Sequence, residues 1–224
     1  MTKGALVGLM PALGASLPNV VAFQFNPETL RHSWTQPPPA VTGSNPLAVP
    51  GNPSETFSFS LAMDVTDQLA LGQADPQRID AESFGIYSRL AALEMLMFPA
   101  DAGTSPTGGT GVPGGGTGAP GGEHRPVPSA QVPAVLFVWG DGRIVPVRVT
   151  SLTITEKLFD AALNPTHADA QIELRVLTPD DIKSVGALKD IVNGAYEYTQ
   201  RKRETLAAFN LTSAAGSMTL PHFP

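Results

Sequence analysis

Hydrophobic and polar positions alternate most cleanly over residues 55–65, where Phe57, Phe59, Leu61 and Met63 share one face of an extended chain and Ser58 and Ser60 take the other. Side chains of a strand point to opposite faces in turn, so this period of two predicts a half-buried antiparallel strand. A second alternating run sets Ala168, Ala170, Ile172, Leu174 and Val176 against Asp169, Gln171, Glu173 and Arg175. Between them, the apolar segment 134–140 (AVLFVWG) and the segment 143–155 read as a hairpin. Asp141-Gly142 is the residue pair favoured by two-residue type I′ turns. In the return strand Val145, Val147 and Val149 have one parity, Leu152 and Ile154 the other. An extra residue near Thr150-Ser151 restores a single apolar face, which predicts a β-bulge. Towards the N-terminus, 19–25 (NVVAFQF) reads as a buried strand stopped by Asn26-Pro27, and 30–35 as a second strand.

Over 80–98 the period lengthens to that of a helix, with Ile86, Leu90, Leu93 and Met97 in one stripe and Phe84, Tyr87, Ala91 and Met95 widening it. Asp80 is the expected cap and Pro99 the stop. A long helix is expected over 185–209, with Leu188, Ile191, Val192, Ala195, Leu206 and Phe209 on its apolar side. Its cations Arg201, Lys202 and Arg203 lie towards the C-terminal end, where they suit the helix dipole. Residues 210–224 are expected to form a tail, and 159–166, with Asn164-Pro165, a turn. Segment 103–128 is built from Gly, Pro, Thr and Ser with almost no apolar anchor, which predicts a flexible loop. The fold class is therefore mainly β (α+β), antiparallel, with one packed helix and a C-terminal helix. The expected organisation is a β domain over 1–180, interrupted by a Gly/Pro-rich insertion at 100–130, then a helix and tail over 181–224.

Composition narrows the function classes. Charged residues make up only 15% of the 224, with 22 Gly and 22 Pro, a balance suited to a surface largely covered by neighbouring subunits. The formal net charge is −6, which argues against a nucleic-acid partner, since binding phosphates needs a basic face. There is no Cys, which removes disulfides, thiol nucleophiles and Cys-ligated zinc. The opening segment, interrupted by Pro11 and Pro18, reads as a poor signal peptide, and no apolar run reaches membrane-spanning length. His32, His124, His167 and His222 are scattered over a strand, the Gly-rich loop, a turn and the tail. No catalytic residue, metal ligand or cofactor-binding residue is expected, and an enzyme is not.

Two segments together resemble a known family. The first is Phe23-Gln24-Phe25-Asn26-Pro27-Glu28-Thr29-Leu30, an opening strand followed by an F-N-P-x-x-L turn. The second runs from Leu136 through Trp139-Gly140 to Val149, then through Thr155, Phe159, Pro165 and Ala168 to Leu177. They are similar to the tube-type proteins of contractile injection systems, the phage-tail-like particles. Asn164 stands where the family has Gly, and Leu158 where it often has an aromatic. Members often append a LysM peptidoglycan-binding module, and nothing over 185–224 resembles its Y-x-V-x-x-G-D-T-L signature.

The resemblance implies a phage-tail-tube-like β-barrel or sandwich and a mechanical role. Such a subunit forms a homo-hexameric ring in the baseplate, joining the inner tube, or its initiator protein, to the spike hub protein and other baseplate subunits. It is assembled in the cytoplasm into the injection particle. Expected interface residues are Phe25, Asn26, Pro27, Asp141, Gly142 and Phe209. Two alternatives stay open: an inner tube subunit or tube initiator, and a cell-wall or carbohydrate-binding module, which exposed aromatics such as Trp34 and Trp139 on one face would favour.

Overall fold

The computed structural model describes residues 2–9, 19–38, 49–99, 132–181 and 189–215. Seven strands form one antiparallel sheet in the order β2-β1-β5-β6-β7-β4-β3. They are β1 (Ala5–Leu9), β2 (Asn19–Ala22), β3 (Leu30–Thr35), β4 (Ser54–Asp64), β5 (Ala134–Val138), β6 (Ile144–Glu156) and β7 (His167–Val176). Four helices among the described residues accompany them: α1 (Thr66–Leu69), α2 (Pro76–Phe84), α3 (Tyr87–Glu94) and α4 (Lys189–Ala215).

The alternating runs do what their period dictates. In β4, Phe57, Phe59, Leu61 and Met63 are buried, as are Ala168, Ala170, Ile172, Leu174 and Val176 in its neighbour β7. The β6–β7 register shifts between Val149 and Ser151. This is the expected bulge, and it turns Leu152 and Ile154 back towards the core.

The sheet is rolled. β4 and β5 are separated by β6 and β7 in strand order, yet Phe137 of β5 lies 5.2 Å from Phe57 and 5.5 Å from Phe59, centroid to centroid. Phe23, just past β2 near the other edge, lies 5.5 Å from Phe59. Offset and tilted ring pairs at these distances add to the burial term, itself about 1.5–3 kcal/mol per large side chain. Gln24 pins the roll: its Oε1 accepts from Asp64 N (2.9 Å) at the end of β4 and from Arg89 Nη1 (2.7 Å) on α3.

One helix was expected over 80–98, and two are found. Asp75 caps α2 by accepting from Gln77 N (2.9 Å), with Pro76 at the first helical position, so the start lies upstream of Asp80. Gly85, at φ 60°, breaks the run, and a β-carbon there would lie 2.2 Å from Pro165 O. The break lets Ile86 N donate to Pro165 O (2.9 Å) and directs Ile86, Leu90, Leu93 and Leu96 into the open side of the roll.

Three other expectations are corrected, and one strand is added: β1, in the opening segment for which the sequence predicts no element, sits between β2 and β5 with Leu6 fully buried. The first strand ends at Ala22 rather than Phe25. The β5–β6 connection is not a type I′ turn: Gly140 (φ 65°) takes the positive φ, Asp141 and Gly142 do not, and Trp139 N donates to Arg143 O (2.8 Å). Finally, α4 continues to Ala215, so 210–215 is helix rather than tail. The Gly-rich segment 103–128 and residues 216–224 lie outside the described residues, as does Leu188. No helix among the described residues is long and apolar enough to cross a membrane.

Candidate functional site

The face of β4, β7 and β6 turned away from the core carries mostly polar side chains in register. Ser58, Glu173 and Ser151 form one row; Ser60, Gln171 and Thr153 the next; Ala62, Asp169 and Thr155 the third. The bulge creates this arrangement, because without its extra residue Leu152 and Ile154 would face outward. With the loop Phe25, Asn26, Pro27, Glu28 and Thr29 as a wall, these rows, Thr155 apart, floor a broad groove of about 780 Å3. Asp169 is ion-paired to Lys157 at the groove's end. Nearby, Asp64 is held below the usual carboxylate range, first by hydrogen bonds from Thr66 and then by His167.

At the other end of the roll a buried carboxylate ties three elements together. Glu55 is only 5% exposed, and its strand parity is that of Phe57 and Phe59. Arg203 of α4 grips both its oxygens, with Nη1 donating to Oε2 at 2.9 Å. His32 Nε2 of β3 is hydrogen-bonded to Glu55 Oε1 at 2.6 Å, and its ring stacks on Phe57, centroids 4.0 Å apart. Arg143 lies over the same ring, its guanidinium carbon 5.5 Å from the centre of Phe57. Burial lowers the His32 pKa below its ordinary 6.5; hydrogen bonding to Glu55 opposes this, and the cations Arg143 and Arg203 add to it. Beside the cluster, Trp34, Asn52, Tyr196, Gln200 and Glu204 border a cavity of about 440 Å3.

The face by which α4 docks differs from the expected apolar stripe. Val192 is buried against Ala134, Thr199 Oγ1 donates to Ile144 O (2.7 Å), Tyr198 OH donates to Asp141 O (2.6 Å), and Arg203 reaches Glu55. Ile191, Leu206 and Phe209 are exposed instead. Backbone acceptors of the β5–β6 hairpin and the buried carboxylate select a polar docking face.

The six expected interface residues do not form one site. Phe25 and Pro27 wall the groove, while Asn26 is a brace: its Oδ1 accepts from Gly4 N (2.9 Å) and its Nδ2 donates to Thr2 O (3.0 Å). Asp141 and Gly142 sit at the hairpin beside α4, and Phe209 lies further along that helix. The Glu55 cluster escaped the sequence reading, though one signal was present: a Glu at an inward position of an otherwise apolar alternating strand. Trp34 is exposed, whereas Trp139 packs on Phe23 and Phe137. Among the described residues, no group of three or more His, Cys, Asp or Glu side chains is placed to hold a metal ion. No protein-family model matches the chain, and no curated protein matches it.

Proposed function

We propose that this chain is a structural subunit of the baseplate of a contractile injection system, forming a hexameric ring that joins the inner tube to the spike hub. The observation that carries the reading is the outer face of β4, β7 and β6, which no element among the described residues covers. Helices α2 and α3 seal the inside of the roll, and α4 docks on β5, β6 and Glu55, while the rows Ser58–Glu173–Ser151 and Ser60–Gln171–Thr153 stay open to solvent in the groove. A wide sheet face of mostly polar side chains, with its apolar residues Phe25 and Pro27 confined to the wall loop, suits the wall of an aqueous channel. The sheet also ends in β2 and β3, which have one strand partner each among the described residues. Edge strands offer unpaired backbone groups to a neighbouring copy, and a head-to-tail contact that closes on itself makes a ring. The F-N-P-x-x-L resemblance at Phe25–Leu30 supports the same assignment.

The mechanism is mechanical: rings stack, this ring templates the tube above the spike, and the core moves outward when the sheath contracts. Because Trp139 packs on Phe23 and Phe137 while Trp34 is exposed, this tryptophan pair does not favour the carbohydrate-binding alternative. The test is electron microscopy of particles from cells producing the chain with an added tag, decorated with tag-specific antibody. Label at the junction of tube and spike is expected; label along the whole tube, or on no particle, would refute the assignment.

A further inference from the structure

The loop between β6 and β7 holds apolar side chains in water on a braced backbone. Asp160 Oδ1 accepts from the backbone N–H of Ala162 and of Asn164, both at 2.8 Å, and its Oδ2 accepts from Asn164 Nδ2 at 2.9 Å. Leu163 N donates to Asp160 O (3.1 Å). Within this brace Leu163 adopts φ 67°, the one positive φ outside glycine among the described residues, and is 79% exposed. Glycine enters that conformation freely and leucine does not, so neither the backbone nor the side chain at 163 favours the isolated fold. Such a combination points to a contact made elsewhere.

The loop is not alone at this end. Ile86 N donates to Pro165 O (2.9 Å) and Asn164 Nδ2 to Ser83 O (3.2 Å), which joins the corner between α2 and α3 to it. Phe84, Tyr87, Leu158 and Phe159 are also exposed there, so with Leu163 these two joined segments carry five large apolar side chains in water. Its rim is acidic. Arg78 is engaged by Glu82 and Lys157 by Asp169, while no cation pairs with Glu156 or Asp160 among the described ion pairs. Hydrogen bonds from Asn164 keep Asp160 below the usual carboxylate range, hence charged near neutrality. Two copies meeting face to face through this end would bring those carboxylates together, which disfavours a symmetric dimer.

We propose that the Leu163 end of the roll docks a different protein component, one that offers an apolar cleft rimmed by Arg or Lys. The identity of that component as the adjoining tube or spike protein rests on the proposed function. The docking surface itself does not. The contact is an apolar anchor inserted in a basic-edged pocket, the arrangement that concentrates binding energy in few residues.

The test uses the full chain in the cells that assemble it. A photo-cross-linking amino acid replaces Phe159, and cross-linked peptides are sequenced by mass spectrometry with Leu163 intact and with Leu163→Gly. The expected product joins this loop to an apolar segment flanked by Lys or Arg in another protein, with its yield cut about tenfold or more by Leu163→Gly. The purified Leu163→Gly protein should melt at the same or a higher temperature, since Gly relieves the positive φ. Cross-links only to the same loop of a second copy, or to no protein, overturn the proposal, as does a fall of several degrees in the melting temperature of Leu163→Gly. A basic-rimmed partner that is neither tube nor spike component upholds the docking surface and contradicts the proposed function. A tagged ring seen at the tube–spike junction without any cross-link does the reverse.

Discussion

Replacing Arg203 with Met tests whether the buried Glu55 carboxylate latches α4 to the sheet. The substitution keeps most of the aliphatic volume and removes one partner of a buried pair. Such losses cost about 3–5 kcal/mol because a charge is left buried without compensation. Arg203 is itself 33% exposed, which places the change at the lower end, about 3 kcal/mol. In a chain of this size 1 kcal/mol moves the melting midpoint by roughly 2–4 °C, so a drop of about 6–12 °C is expected at pH 8. The pH dependence then separates the latch from a general packing loss. In the native protein His32 is held below its ordinary 6.5, chiefly by burial. A base with a depressed folded pKa favours folding above its unfolded value, and that contribution is lost as pH falls from about 6.5 through the folded value. Without Arg203 a repulsive cation is gone and an imidazolium at His32 can face Glu55 directly, so the variant should recover much of its deficit at pH 5. Thermal melts of both proteins at pH 8 and pH 5 decide it. A loss under about 0.5 kcal/mol, the scale of an exposed pair, or an equal loss at both pH values, would refute the latch.

Other consequences can be checked on the purified chain. Phe137→Ala empties the centre of the aromatic cluster formed with Phe57, Phe59 and Trp139, and denaturant melts should show a loss of about 3–5 kcal/mol. Two glycines with similar φ should respond differently in the same assay. Gly85→Ala drives a β-carbon into Pro165 O and should cost more than about 3 kcal/mol, whereas Gly140→Ala meets open space and should cost only the conformational penalty, about 1–2 kcal/mol. Asp160→Ala removes the acceptor of the Ala162 and Asn164 amides. Hydrogen exchange at both should accelerate while exchange in β4 and β7 stays unchanged.

The strands were legible where one face alone is buried. The parity of Phe57 to Met63 and of Ala168 to Val176 marks β4 and β7, and the change of parity after Val149 marks the bulge because a one-residue slip reverses every side chain. β1 was not legible: five residues with glycine at its fourth position carry too little pattern, and its place in the sheet comes from pairing with β2 and β5, a long-range fact. The break at Gly85 was hidden because Phe84, Tyr87 and Ala91 keep helical spacing across it; the reason for the break, Pro165 O, lies 80 residues away in sequence. The groove floor follows from the alternation itself, but its wall of Phe25 to Thr29 depends on how the sheet rolls. The cluster around Glu55 draws on β3, β4, the β5–β6 hairpin and α4, so no local window contains it. The single Glu at an inward strand position was its only trace.

The most direct test of the ring is native mass spectrometry of the purified chain, alone and mixed with the tube and spike proteins made by the same cells. A hexamer is expected, or a monomer that becomes six copies only in the presence of those proteins; a monomer that persists beside both would contradict the ring.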